Sequence, residues 1–173
     1  MTVALTDTPV LRTERLTLRA PAASDWPHWR AFLGERRAQW AGGPQDEGGS
    51  WRAFGHVIGH WVLRGYGSFV FHSHDDATPL GMSGPWFPAD WPEREIGWTL
   101  WSADHEGKGL ASEAARAACG FARDTLRWDS AVSYIHRDNA GSVAVAERLG
   151  AVRDDDAARP HAEDLVYRHW GAA

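Results

Sequence analysis

The sequence is poor in cysteine: Cys119 is the only one in 173 residues. A lone thiol excludes an intrachain disulfide and fits a reducing compartment. There is no run of 18 apolar residues and no basic N-terminal segment leading into a long apolar stretch, so neither a membrane span nor a signal peptide is indicated and a cytoplasmic protein is expected. Cations are in deficit, with 18 Lys and Arg against 23 Asp and Glu for a net charge of -5. That balance argues against a broad polyanion-binding surface, so nucleic acid is not an expected partner. Repeats and linkers are missing too, and the length suits one domain over 1–173 with a core of its own. What is abundant is turn-forming and aromatic: 18 Gly, 9 Pro and 11 Trp in a chain that is 43% hydrophobic. This is the composition of a folded domain with large aromatic surfaces to cover.

Residues 14–19 alternate polar and apolar, which predicts a strand with Leu16 and Leu18 inward. Ser24 or Asp25 can cap a helix that turns Trp29, Phe32, Leu33 and Trp40 to the interior and ends before Gly42-Gly43-Pro44. A second helix is expected over about 50–63, where Phe54, Val57, Ile58, Trp61 and Val62 recur at helical intervals. Residues 66–72 and 80–83 read as a hairpin across the turn-rich stretch between them. The proline-rich segment 84–92 reads as irregular, either a packed surface loop or a pocket wall carrying Trp86 and Trp91. Strand character returns over 95–101, with Glu95, Gly97, Thr99 and Trp101 on one face. An alanine-rich helix over 109–126, a strand over 131–135, a helix from Asn139 or Ser142 to Leu149 and a strand over 165–170 complete the order. Helices between strands imply a mixed sheet covered by helices.

The richest local chemistry lies in Glu106-Gly107-Lys108-Gly109-Leu110-Ala111, between a strand and a helix. Small residues let successive amides approach an anion, and the helix that follows adds unpaired amides and its positive dipole end. Serine at 112 breaks the dinucleotide-type glycine pattern, and the segment is no Walker loop. From the residues alone, an anion cradle and an ordinary strand-to-helix turn both fit. His72 and His74, with Asp75 and Asp76, have a spacing that could hold a metal for hydrolysis, but the composition there is also that of a turn. Cys119, inside a helix without a local histidine, reads as a small buried side chain and not as a nucleophile.

Three blocks in order, Glu95-Ile96-Gly97-Trp98-Thr99-Leu100, then Glu106-Gly107-Lys108-Gly109-Leu110-Ala111-Ser112-Glu113-Ala114, then Asp138-Asn139-Ala140-Gly141-Ser142 running to Leu149-Gly150, resemble the GNAT superfamily of N-acetyltransferases. The likeness is strongest to its ribosomal-protein alanine acetyltransferase (RimJ/RimL)-like branch and begins at Leu11-Arg12-Thr13-Glu14-Arg15-Leu16. It implies an α/β fold, α+β in some schemes, whose central mixed and mostly antiparallel sheet splays near its middle to admit acetyl-CoA. No metal is implied.

On that resemblance, the amides of Gly107, Lys108, Gly109, Leu110 and Ala111 would hold the diphosphate of acetyl-CoA, with Lys108 either supplementing the cradle or standing as a solvated turn residue. Glu106 departs from the family's usual glutamine or arginine, which weakens side-chain help to the phosphates. Leu100 and Trp101 would offer edge-strand backbone groups to the pantetheine or thioester, the Trp101 amide being the expected polarising donor. Asn139 and Ser142 would contact the coenzyme, Ser142 as a source of the proton for the departing sulfur, and either could simply cap a helix. Glu95 is the expected general base, with ammonium binding and structural pairing as alternatives, and Tyr134 and His136 as lesser candidates. Trp86, Trp91, Glu95 and Tyr134 would shape the site for a primary amine, on a small molecule or a protein N-terminus. The alternative is a non-catalytic CoA-binding or ligand-sensing domain. Monomer and homodimer are equally compatible with the sequence.

Overall fold

Buried aromatic and branched side chains at alternate positions set the strands of a single sheet. In the computed structural model, which describes residues 5–171, the order along the chain is β1 (Leu11–Arg12), β2 (Leu16–Arg19), α1 (Trp26–Leu33), α2 (Glu47–Arg64), β3 (Phe69–Ser73), β4 (Gly81–Trp86), β5 (Glu95–Leu100), α3 (Leu110–Gly120), β6 (Ala131–His136), α4 (Ala140–Arg148), β7 (Val152–Arg153) and β8 (Asp164–Trp170). The outermost residues of the expected 1–173 domain, 1–4 and 172–173, lie outside the described residues. Eight strands run in the order β1-β2-β3-β4-β5-β6-β8-β7. Every neighbouring pair is antiparallel except β5 and β6, which are parallel and registered only at Glu95 and Val132. The sheet therefore splays after that pair, as expected.

Helices cover both faces. Phe69 and Phe71, fully buried, join Leu16, Leu18, Ala114 and Phe121 on the α3 side, each large side chain contributing roughly 2 kcal/mol by leaving water. Val70 faces the other way, into Trp29, Phe32, Leu33, Phe54 and Trp101 beneath α1 and α2. Alanines on α3 and the turn after it let the backbone approach β5: Ala118 and Ala122 pack with Ile96, while Ala111 and Ala115 pack with Trp98, Leu100 and Val145 of α4. Among the described residues no helix is long and apolar enough to cross a membrane.

Several boundaries differ from the sequence expectations for physical reasons. The first helix stops at Leu33, and a separate 3-10 segment, Arg36–Ala41, follows. Trp40 is consequently 40% exposed and stacks on His136 at 4.3 Å. Asp25 forms no side-chain helix cap; its carboxylate pairs with Arg19 and accepts the Ala22 amide. The second helix starts at Glu47 because Asp46 caps it, accepting the Gly49 amide at 2.6 Å. β4 continues through Gly84, Pro85 and Trp86, although that segment reads as irregular. Registered pairing with β3 ends at Ser83, so Pro85 needs no N–H on that side and a strand tolerates it. The alanine-rich helix ends as α-helix at Gly120 and finishes in a π turn, Phe121–Thr125.

Candidate active site

The wedge between β5 and β6 takes its chemistry from the direction of strand backbone groups. The Trp101 amide donates to the Leu80 carbonyl at 2.9 Å, so by antiparallel alternation residues 95, 97, 99 and 101 turn their polar groups to β4, and 96, 98 and 100 turn theirs toward β6. Side-chain bonds agree: Ser133 Oγ donates to the Ile96 carbonyl at 2.5 Å, and Arg37 Nη1 donates to the Leu100 carbonyl at 2.6 Å. This corrects the expectation for Trp101, whose amide is engaged by β4 and whose side chain is core, against Trp29 at 5.8 Å. The backbone groups presented to the wedge are those of Trp98 and Leu100.

At the mouth of the wedge lies the glycine loop. Gly107 and Gly109 adopt left-handed φ of 71° and 77°, conformations that favour glycine and aim consecutive amides at one side. A Cβ on Gly107 would meet nothing within 4 Å. Leu110 opens α3, and the amides of its first turn have no intrahelical partner. Arg15 braces the loop, donating to the Lys108 carbonyl at 3.0 Å and pairing with Glu113 at 2.6 Å. Ser112 Oγ is buried without a partner, and a cavity of about 540 Å³ of mixed charge, lined by Arg12, Glu14, Gly109, Ser112, Glu113 and Arg116, adjoins it. The donor set fits a diphosphate.

Across the wedge, Asn139 caps α4 by accepting the Ser142 amide at 3.2 Å, so its structural role is present. Ser142 Oγ accepts the Trp98 indole N–H at 3.2 Å, which leaves its own hydroxyl proton available to donate.

Glu95 lies on the opposite face of the sheet, registered against Trp86 and Val132. Trp91 Nε1 donates to its Oε2 at 2.5 Å, joining two residues that the sequence singled out separately. Burial pushes the Glu95 carboxyl up to about 7; the Trp91 indole and the Tyr134 amide pull it down, and the charge of Asp164 raises it. Tyr134 shares the neighbourhood, 6.3 Å from the Trp91 ring, its hydroxyl accepting the Glu93 amide at 3.1 Å. Burial first, then the nearby glutamates, move its phenol up to about 12, so it stays protonated near neutrality and is a donor, not a base. Trp86 packs face to face on His60 at 4.5 Å, and Gly97 between Glu95 and Thr99 leaves open space where a side chain would stand. The result is an aromatic wall beside a carboxylate that titrates near neutral pH.

The other sequence candidates have local roles. His74 uses both ring nitrogens, on Thr17 Oγ1 and the Thr13 carbonyl, and no group of three or more His, Cys, Asp or Glu among the described residues is placed to hold a metal.

A family model described as acetyltransferase (GNAT) domain matches residues 15–152. The chain belongs to the GNAT acetyltransferase family. An acetyltransferase from Agrobacterium tumefaciens str. C58 is 39% identical, with 97% of this chain and 98% of that one covered and a TM-score of 0.88. A GNAT-family acetyltransferase from Bordetella pertussis is 26% identical over 92% of this chain and 98% of its own, with a TM-score of 0.77. A ribosomal L7/L12 alpha-N-protein acetyltransferase, solved in complex with coenzyme A, shares the fold at 19% identity, covering 94% of this chain and 98% of its own with a TM-score of 0.72.

Three groups in this GNAT protein escaped the sequence reading. Arg37 reaches the end of β5 and pairs with Glu106. Asp164, buried on β8 opposite His136, adds a second carboxylate to the Glu95 face, its own carboxyl raised by burial. His169 links Ser133 at 2.8 Å to Cys119 at 3.9 Å, closing a hydrogen-bonded chain that ends on Ile96 where the strands part. Burial holds the His169 imidazole down at about 4 and pushes the Cys119 thiol up to about 12. A neutral imidazole beside a neutral thiol is not an activated nucleophile. Cys119→Ala should therefore leave kcat within about twofold and no acetyl group should be found on Cys119 by mass spectrometry; a loss above tenfold would contradict this.

Proposed function

We propose that this one-domain protein transfers the acetyl group of acetyl-CoA directly to a primary amine, on a small molecule or a protein N-terminus. The observation that carries the reading is the wedge itself: backbone groups of β5 turned away from β4 on one side, the amide loop at its mouth, and Glu95 on the opposite face. The coenzyme A held by the L7/L12 acetyltransferase of the same fold supports the same ligand class here. When bound, acetyl-CoA supplies the activated acetyl thioester. The amides of Gly107, Lys108, Gly109, Leu110 and Ala111 hold its diphosphate, and Leu100, Asn139 and Ser142 line the path of its arm.

The chemistry of the chain's own groups follows from their states. Glu95 accepts the proton that the amine loses as the N–C bond forms, directly or through water, and a carboxyl near 7 is suited to that transfer. The backbone N–H of Trp98, turned to the wedge beside Ser142, donates to the acetyl oxygen as charge gathers there. Ser142 O–H donates a hydrogen bond to the sulfur as the C–S bond breaks, and the CoA thiolate takes its proton from solvent. Trp86, Trp91 and Tyr134 orient the acceptor and exclude water beside Glu95.

Incubation with acetyl-CoA and a panel of small amines and N-terminal peptides tests the reading. The expected result is release of free CoA thiol with a matching mass gain of the acceptor. The alternative, motivated by the departure at Glu106 from the family pattern, is a non-catalytic CoA-binding or ligand-sensing domain. That alternative prevails if acetyl-CoA binds but no acceptor in a broad panel is acetylated.

A further inference from the structure

The amide loop carries two charged side chains of its own, Glu106 and Lys108, both exposed. They offset each other, so the loop brings no net positive charge to a diphosphate. A better placed cation arrives from elsewhere. Arg37, on the 3-10 segment after α1, extends to the wedge with its side chain only 21% exposed. Its Nη1 donates to the Leu100 carbonyl at 2.6 Å and its Nη2 pairs with Glu106. The Phe32 ring, 5.7 Å from the guanidinium carbon, steadies it from behind. One guanidinium thus spans the two parts of the expected coenzyme path, the edge of β5 and the start of the loop. Of the other nearby arginines, Arg15 is bonded to Glu113 and the Lys108 carbonyl and Arg116 to the Arg148 carbonyl, while Arg12, beside Gly109, does not reach the edge of β5.

Arg37 makes two of the five hydrogen bonds a guanidinium can donate. Its carboxylate partner is weakly committed, because Glu106 is 61% exposed and well solvated. A diphosphate, with more charge and a geometry that accepts two parallel N–H bonds, competes well against one solvated carboxylate. Resting on the acetyl-CoA reading above, we propose that Arg37 is a ligand of the coenzyme diphosphate, delivered from the segment after α1 and held ready by Glu106 and the Leu100 carbonyl. Glu106 is then the holder of a cation supplied by another element, and its departure from the family pattern does not leave the phosphates without side-chain help.

Calorimetric titration of the full chain with acetyl-CoA, and with S-acetyl-pantetheine, which lacks the diphosphate, separates the outcomes. Arg37→Ala should weaken acetyl-CoA binding about tenfold and leave S-acetyl-pantetheine binding unchanged. Arg37→Lys should recover part of the loss, since a point charge remains without the planar fork. The dependence of acetyl-CoA affinity on salt should also become shallower in Arg37→Ala, a readout that needs no truncated ligand. Unchanged acetyl-CoA affinity in Arg37→Ala, equal weakening of both thioesters, or tighter binding would each overturn the proposal, the last marking Arg37 as a blocking contact. A thermal transition close to wild type shows that the variant is folded. If the unaltered protein itself bound no acetyl-CoA, the transferase reading would fail, which is a distinct outcome.

Discussion

Glu95→Gln lowers kcat by about a thousandfold while leaving acetyl-CoA affinity within about twofold. The amide keeps the shape of the side chain and can still accept the Trp91 indole N–H, so the wall of the acceptor site stays assembled. What it loses is the ability to take a proton from the attacking amine. With the carboxyl raised to about 7 by burial, the wild-type rate should climb with pH through that region. A second limb belongs to the amine substrate, and the Glu95 limb is the one that vanishes in the variant. The same substitution should stabilise the fold. A carboxyl held above its ordinary value prefers to be protonated in the native state, so its charge costs stability progressively as pH rises from the unfolded value toward 7, and fully above that. Glu95→Gln should therefore raise the melting temperature at pH 8, by a free energy on the order of 2 kcal/mol, and leave it nearly unchanged at pH 4. Retained activity in Glu95→Gln, with an unaltered pH profile, would move the base to ordered water or another group.

Asp25→Ala is the substitution with the largest expected cost to stability. Asp25 is 1% exposed, and its two oxygens take a fork from Arg19 at 2.7 and 2.8 Å while one also accepts the Ala22 amide at 2.8 Å. Removing it orphans the half-buried Ala22 amide and leaves the guanidinium only the Ala20 carbonyl at 3.1 Å. Breaking one side of a buried pair costs about 3 to 5 kcal/mol. Arg19 is 26% exposed and can recover some hydration, so a value near the lower end, about 3 kcal/mol, is expected. For a chain of this size that corresponds to a fall of about 6 to 12 °C in melting temperature. Replacing both partners with apolar residues of similar volume should restore much of the loss, because no unpaired charge then remains. A loss below about 1 kcal/mol by chemical denaturation would show the pair to be solvated in practice.

The parts of this protein legible in the sequence are those governed by neighbours along the chain. Alternation at 95–101 gave the two faces of β5, and the glycines at 107 and 109 marked a strand-to-helix turn, whose positive φ the structure added. Asn139 and Ser142 formed a recognisable helix start. Glu95 and Trp91, read as separate candidates, are four residues apart and their hydrogen bond was within local reach. The glycine run near 42–43 marked a helix end too late, because Gly34 and Glu35 already permit the chain to turn.

The direction of the β5 amides was decided only when β4 took its register, since either set of alternate residues could have faced the wedge until Trp101 bonded Leu80. Arg37 meets the Leu100 carbonyl across 63 positions, Ser133 meets Ile96 across 37, and His169 meets Cys119 across 50. No periodicity encodes such meetings. Sequence alone therefore determined the strand faces, turns and helix starts of this GNAT protein, for these follow from side-chain spacing and local backbone preference. The tertiary structure decided which donors face the wedge, which cation reaches its mouth and how far the Glu95 carboxyl is raised, for these depend on desolvation and on partners that only packing brings together.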